Sequence, residues 1–337
     1  MHKEVKARYD EQKVLKKAAH LYDFQLDQVT FLADAENYVY EYKAMNGENY
    51  ILKITHTIRR SPTYILGEMD WLRFLSHHGI SVAKPISSAR GKDVETIPDQ
   101  AGGAFLLRVY EKAPGRKVNE GDWNGKLFEA LGSYTGRMHQ ITKQYQVKDP
   151  LYKRQEWYEE EQLKLDQYIP FPSDQTVVLR RKDELMQKLH QLRISKDVYG
   201  LVHADLHHGN FHYHQGEIIA FDFDDIGYHW FINDISILLY NVLWYPVIPY
   251  DDKAEFTAEF MSHFLKGYRQ ENELDDAWLA TIPDFLMLRH MLIYGLLHQA
   301  FDLQTLTSDE KAMLSCFRKE IEQKTPITPF DFQQLAR

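Results

Sequence analysis

The chain of 337 residues contains a single cysteine, Cys316, so no internal disulfide can brace it. On a late helix, a lone cysteine reads as a small buried apolar residue rather than a catalytic thiol. Glycine (17) and proline (12) are few, and 44% apolar with 26% charged residues leaves no room for extensive disorder. Long apolar runs are also missing. The most hydrophobic stretch, Ile282–Phe301, is interrupted by Asp284, Arg289, His290 and His298, which suits a buried helix and not a membrane span. Positive charge is in deficit, with a net charge of −9, which argues against generic nucleic-acid binding. The first residues, MHKEVKARYDEQKVLKK, are charged and helical in pattern, unlike an apolar leader. The expected setting is cytoplasmic, with neither nucleic acid nor membrane as a partner; nothing indicates the oligomeric state.

What the chain does have changes character near residue 112. Before it lie short segments rich in β-branched and aromatic residues: Phe24–Leu32, Tyr38–Lys43, Tyr50–Thr55, Val82–Ser87 and Ala104–Tyr110. Asn46-Gly47 between the second and third signals a hairpin. One helix, Pro62–His78, interrupts them, with Ile65, Leu66, Met69, Leu72 and Leu75 near helical spacing and Gly79 as a stop. After Lys112-Ala113-Pro114-Gly115 the patterns become helical, over Trp123–Thr142, Thr176–Arg193, Trp230–Leu243, Ala254–Glu271, Asp276–Leu303 and Ser308–Gln323. Two short strands, Val198–His203 and Glu217–Asp222, break that run. The expectation is an α+β protein of two lobes, 1–111 built on an antiparallel sheet with one helix, and 112–337 larger and mostly helical.

The most informative segment is Tyr199-Gly-Leu-Val-His203-Ala-Asp205-Leu-His-His-Gly209-Asn210. A strand end delivers His203, and a tight loop then presents Asp205 and, five residues later, Asn210. Phosphoryl transfer asks little covalent help of a protein. It requires a carboxylate to orient an attacking hydroxyl and accept its proton, and hard oxygen ligands for Mg²⁺. Asp205 suits the first role and the Asn210 carbonyl the second. Downstream, Ile218-Ile-Ala-Phe221-Asp222-Phe223-Asp224-Asp225 offers Asp222 as a second metal ligand at the end of a hairpin partner strand. The histidines His203, His207, His208, His212 and His214 suggest a rival transition-metal cluster. None forms an HExxH pattern, and His203 reads better as a brace bonded to backbone near Asp222.

HADLHHGN followed by the IIAFDFDD strand resembles the aminoglycoside phosphotransferase and choline kinase-like family, a branch of the protein-kinase-like fold. The resemblance implies a small-molecule kinase using ATP and Mg²⁺, with Asp205 as catalytic base and Asn210 and Asp222 as metal ligands. Asp234, opening the next helix, would brace the catalytic loop or simply cap the helix. Tyr50-Ile-Leu-Lys53-Ile is similar to the family's third strand, whose lysine contacts the α- and β-phosphates. An ion pair with Glu68 on the early helix would hold Lys53 extended. Leu106–Glu111 resembles the hinge whose backbone reads adenine, placing Arg108, Val109 and Tyr110 in that region. Leu131–His139 resembles a family helix and reads as core packing. The turn Ala33-Asp34-Ala35-Glu36-Asn37 lacks the glycines of a phosphate-covering loop, and Asp34 and Glu36 would repel phosphate unless they point away.

The acceptor, a small molecule bearing a hydroxyl, would sit beside the C-terminal helices. Tyr240, Trp244, Tyr245, Tyr250, Asp251, Asp252, Trp278, Tyr294 and Phe301 would suit an amino sugar, amino alcohol or similar cation; ordinary core packing is the plainer reading. Tyr152–Tyr168 either lines the same cleft or forms an exposed insert. Two other functions stay open at this stage, a protein Ser/Thr kinase and a non-catalytic binding or spore-coat-type protein on the same scaffold. Against the former, only about eight residues follow Asp222 before the next helix; against the latter stands the intact set Lys53, Glu68, Asp205, Asn210 and Asp222.

Overall fold

The computed structural model describes residues 3–169, 176–244 and 250–336; Tyr245, expected in the acceptor pocket, falls outside them. The first third is a six-stranded antiparallel sheet of β1 (Phe24–Ala33), β2 (Tyr38–Ala44), β3 (Asn49–His56), β4 (Pro85–Ile86), β5 (Glu95–Pro98) and β6 (Ala104–Glu111), ordered β1-β2-β3-β6-β4 with β5 also on β6. Alternation drives it. Tyr38, Tyr40 and Tyr42 of β2 are all buried on one face, against Val5 of α1 (Lys3–Arg8) and Val14, Ala18 and Leu21 of α2 (Glu11–Tyr22). The β2–β3 hairpin turns at Asn46-Gly47, where Gly47 adopts φ 87°, a conformation that favours glycine.

Between strands the single helix is α3 (Pro62–His77), capped by the Ser61 hydroxyl, which accepts from Tyr64 N at 3.1 Å. It belongs to the other, larger core: Trp71 donates to Thr142 Oγ1 at 3.0 Å and meets Phe223 edge-on at 5.7 Å. This packing ties the sheet region to the helical region just behind Asp222.

The helical part comprises α4 (Gly125–Thr142), the short α5 (Leu165–Tyr168), α6 (Thr176–His190), α7 (Phe231–Trp244), α8 (Lys253–Glu271), α9 (Ile282–Ala300) and α10 (Ser308–Gln323). Two two-stranded pairs sit among them: β7 (Tyr199–Val202) with β10 (Gly227–Trp230), and β8 (Phe211–His214) with β9 (Glu217–Ala220). Helices α4 and α8 lie close together because Gly132 and Gly267 face carbonyl oxygens of Phe264 and Glu129 that a Cβ would strike.

Four sequence expectations are corrected. The helix expected over Asp276–Leu303 is a 3₁₀ turn, Asp276–Thr281, followed by α9; Pro283 has no N–H to continue an earlier helix but fits a new first turn. The strand expected over Val82–Ser87 shrinks to Pro85–Ile86, since Pro85 cannot donate to a ladder. Strand β10 replaces the first residue of the expected Trp230 helix because Gly227–Trp230 pairs with β7. Cys316 lies on α10, as expected, but is exposed: the buried face of that helix carries Phe317 and Ile321.

Candidate active site

The catalytic loop leaves β7 at His203 and is held from below. Asp234, in the first turn of α7 and fully buried, accepts from His203 N at 2.9 Å and Ala204 N at 2.8 Å. Ala204 takes φ 62°, and this pair of bonds pins the strained residue. Asp234 is in turn met by His139 Nε2 of α4 at 3.2 Å, whose Nδ1 reaches Tyr268 Oη at 2.9 Å. Asp234 therefore braces the loop, and His139, expected only to pack, buttresses that brace. His203 Nε2 reaches Phe221 O at 3.2 Å, the backbone contact expected of it, and burial holds its pKa below the usual imidazole value.

Asp205 follows. Asn210 Nδ2 donates to Asp205 Oδ2 at 3.0 Å and to Asp205 O at 3.0 Å. That arrangement leaves the Asn210 carbonyl oxygen for another partner. The β8–β9 hairpin then returns the chain, with Phe221 N donating to Asn210 O at 2.9 Å, so Asp222 comes to lie beside the loop. Asp222 has φ 64° and is 43% exposed. An amide oxygen and an available carboxylate form a hard oxygen donor set, and these two residues fit a Mg²⁺ whose remaining ligands come from phosphate and water. Among the described residues no three His, Cys, Asp or Glu side chains converge as a metal site, so the five histidines near the loop do not assemble the rival transition-metal cluster.

Lys53 reaches across from β3. Its Nζ donates to Asp222 Oδ1 at 2.6 Å and to Asp224 Oδ1 at 3.3 Å. Burial alone would lower its pKa, but the two carboxylates hold it above the usual lysine value. The expected Lys53–Glu68 pair is replaced by this one. Glu68, buried on α3, instead accepts from Tyr110 Oη, with Arg108 Nε at 3.8 Å. The physical reason is Asp224, a third carboxylate that shares Lys53 and takes Arg108 at 2.5 Å and Asn37 Nδ2 at 2.5 Å. Despite burial, Arg108 and Lys53 hold Asp224 well below the usual carboxylate range. Sequence reasoning missed Asp224, although its signal was present in the Asp222-Phe223-Asp224 alternation.

Arg108, Val109 and Tyr110 lie inside β6, paired through their length with Lys53, Leu52 and Ile51 of β3. Their backbone is largely committed to the sheet, and the Arg108 and Tyr110 side chains are engaged with Asp224 and Glu68. Of the three, Tyr110 lines a cavity of about 420 Å³, together with Glu111, Lys112 and Ala113 of the connecting stretch and Val39, Lys53 and Asp222. The acidic turn is resolved as well: Asp34 pairs with Lys6 at 2.8 Å and Glu36 with Arg59 at 2.8 Å.

A second cavity, of about 340 Å³, lies on the other side of Asp222, which lines both. Asp205, Asn210, Trp157, Glu160, Asp225 and Arg289 are among its walls, and Leu288, Leu292 and Ile293 of α9 make an apolar side. The segment Tyr152–Tyr168 thus contributes to the cleft. The expected aromatic set does not line it. Tyr240, Trp278 and Tyr294 are core residues, Tyr250 stacks on Phe256, and Asp252 caps α8. Arg289 was noticed in the sequence only as an interruption of an apolar segment; its guanidinium bonds Asp205 Oδ1.

A sheet region and a helical region meeting at a lysine, a loop aspartate and two oxygen donors have the arrangement of a phosphoryl-transfer enzyme of protein-kinase-like fold. The model of the Phosphotransferase enzyme family matches residues 27–278, and the chain belongs to that family. An amicoumacin kinase of Bacillus subtilis (strain 168) is 65% identical over 336 residues, covering 100% of this chain and 99% of that one. A solved amicoumacin kinase, hAmiN in complex with AMP-PNP, Ca²⁺ and Ami, is 88% identical over 100% of both chains with a TM-score of 0.98. A microcompartment-associated aminopropanol kinase shares the fold at 21% identity and a TM-score of 0.73, covering 93% of this chain and 95% of its own. The chain is an ATP-dependent small-molecule kinase.

Proposed function

We propose that this kinase transfers the γ-phosphoryl group of ATP to a hydroxyl of amicoumacin. Support comes from full-length similarity to two amicoumacin kinases. The observation that carries the reading is the position of Asp222 as common wall of two cavities, so that a nucleotide in one faces an acceptor in the other. The second cavity joins an apolar side on α9 to carboxylates of Glu160 and Asp225, a lining suited to a compact acceptor with both apolar and polar parts.

In this reading Asp205 orients the acceptor hydroxyl and takes its proton. Burial would raise its pKa, but the Arg289 guanidinium and His207 hold it well below the usual carboxylate range. A weak base suffices where the transition state is loose and the proton leaves late. Lys53 neutralises nucleotide phosphate, and Glu111, Lys112 and Ala113 border the adenine end. Asn210 and Asp222 would hold Mg²⁺, which when bound offsets the phosphate charge. A protein substrate is disfavoured: the eight residues between Asp222 and Phe231 are consumed by a turn and β10, leaving no peptide-binding segment.

The test is to incubate the protein with MgATP and amicoumacin and follow a phosphomonoester by mass spectrometry, with Asp205→Asn as blank. ATP turnover with another hydroxyl compound but none with amicoumacin would sink this choice of acceptor.

A further inference from the structure

Helix α9 carries Arg289 on its cleft-facing side, between Leu288 and the Leu292–Ile293 wall. Its side chain is 15% exposed. One terminal nitrogen bonds Asp205 Oδ1, while its Nε is buried and has no hydrogen-bond partner among the described residues. The two oxygens of Asp205 are thereby held separately, Oδ1 by Arg289 and Oδ2 by Asn210 Nδ2 at 3.0 Å. A third contact, His207 Nε2, stands 3.4 Å from Oδ2.

The need for such a hold follows from the surroundings. The partly exposed Asp222 carboxylate shares the cavity wall with Asp205, and bound nucleotide would add more negative charge. A single carboxylate in that company, tethered only by one amide, would be pushed off its line of approach. A guanidinium anchored on a long helix restrains Oδ1 by a charge-assisted hydrogen bond, with a stiffer, planar donor than the flexible ammonium of a lysine.

We propose that Arg289 is a positioning residue for phosphoryl transfer: it acts through Asp205, fixing the carboxylate that receives the acceptor hydroxyl. The proposal rests on the kinase reading above. Displacing a base by about 1 Å can cost on the order of 100-fold in rate, so the effect should appear in kcat rather than in nucleotide affinity.

The experiment compares wild type, Arg289→Ala and Arg289→Lys with MgATP and amicoumacin, or with whichever hydroxyl compound wild type phosphorylates. In Arg289→Ala, kcat is expected to fall roughly 100-fold with KM for ATP nearly unchanged. Guanidinium at millimolar concentration should restore part of the lost rate, and Arg289→Lys should recover less than guanidinium-rescued Ala. Melting curves of each variant report folding. A kcat for Arg289→Ala close to wild type overturns the proposal. So does a loss insensitive to guanidinium and accompanied by a lowered melting temperature and a raised KM for ATP, which marks a purely structural brace. A wild type that phosphorylates nothing overturns the kinase reading instead, and is recognised before any variant is compared.

Discussion

Lys53 and Asp222, separated by 169 positions in sequence, meet at 2.6 Å across the junction of sheet and helices. The ammonium is buried, whereas the carboxylate is 43% exposed. Lys53 lines one of the two cavities, and the partly exposed Asp222 carboxylate lines both. Removing the cation leaves Asp224 with one guanidinium and Asp222 with no lysine.

For Lys53→Ala we therefore expect a lowered melting temperature and a weakened nucleotide response. Breaking a buried ion pair costs about 3–5 kcal/mol, and the exposure of Asp222 brings the expected loss below that range. Chemical denaturation gives the stability change; titration with MgATP gives the affinity. Nucleotide binding as tight as in wild type would show that Lys53 does not meet phosphate.

Asp222→Ala separates metal-dependent from metal-independent binding. Wild type at 100 times its dissociation constant for MgATP gains about 2.7 kcal/mol of stability, seen as an upward shift in melting temperature. In Asp222→Ala that shift should vanish, and removal of the metal with EDTA should abolish it in wild type. A persistent shift in the variant would remove Asp222 from the list of metal ligands.

Asp205→Asn should keep the MgATP-induced shift and lose turnover by about 10²–10⁴-fold, the range typical for a positioned acid or base. In the proposed scheme the base acts on the acceptor hydroxyl and makes no demand on nucleotide. Single-turnover kinetics with preformed enzyme–ATP complex distinguishes the two steps. Loss of nucleotide binding with an intact fold would mean that Asp205 serves the wrong substrate in our scheme.

Much of this was legible because its signals are local. The His203–Asn210 loop, the strand reaching Asp222 and the brace at Asp234 lie within about thirty residues, where spacing constrains geometry. The N-terminal sheet was legible from alternation, as in Tyr38, Tyr40 and Tyr42. What could not be read was the choice among partners arriving from different segments. Lys53 had carboxylates available on α3 and after β9, and only the fold decides for Asp222 and Asp224 over Glu68. Nor could the sequence show where the paired part of β6 ends: a strand looks the same whether its backbone is free or paired, and β6 is paired as far as Glu111. Arg289 carried no signal of its role beyond being a charge in an apolar helix.

Asp234→Ala should destabilise the protein and slow transfer together. The carboxylate takes two backbone N–H groups, at 2.9 and 2.8 Å, and a buried donor left unsatisfied costs about 1–3 kcal/mol. With Ala204 held at φ 62°, loss of these bonds frees the loop that presents Asp205. Denaturant midpoints measure the first effect, and kcat with unchanged nucleotide affinity measures the second. A variant of wild-type stability would reduce Asp234 to a helix-terminal residue of no consequence.

His229 gives a pH dependence of stability whose sign is set by burial. It lies on β10, 5% exposed, among the rings of Trp157, Trp230 and Phe285, and its pKa is pushed down to about 3 from an unfolded value of about 6.5. Between those values the unfolded chain binds a proton that the native state refuses, so stability falls as pH is lowered through about 6.5 toward 3. The contribution is complete above about pH 6.5 and has a limiting slope of about 1.4 kcal/mol per pH unit below it. Urea unfolding of wild type and His229→Gln from pH 7.5 to 5 should give curves that diverge at neutral pH and approach each other on acidification. Parallel curves would show that His229 is protonated without cost in the native state, and that the ring cluster around it is open to water.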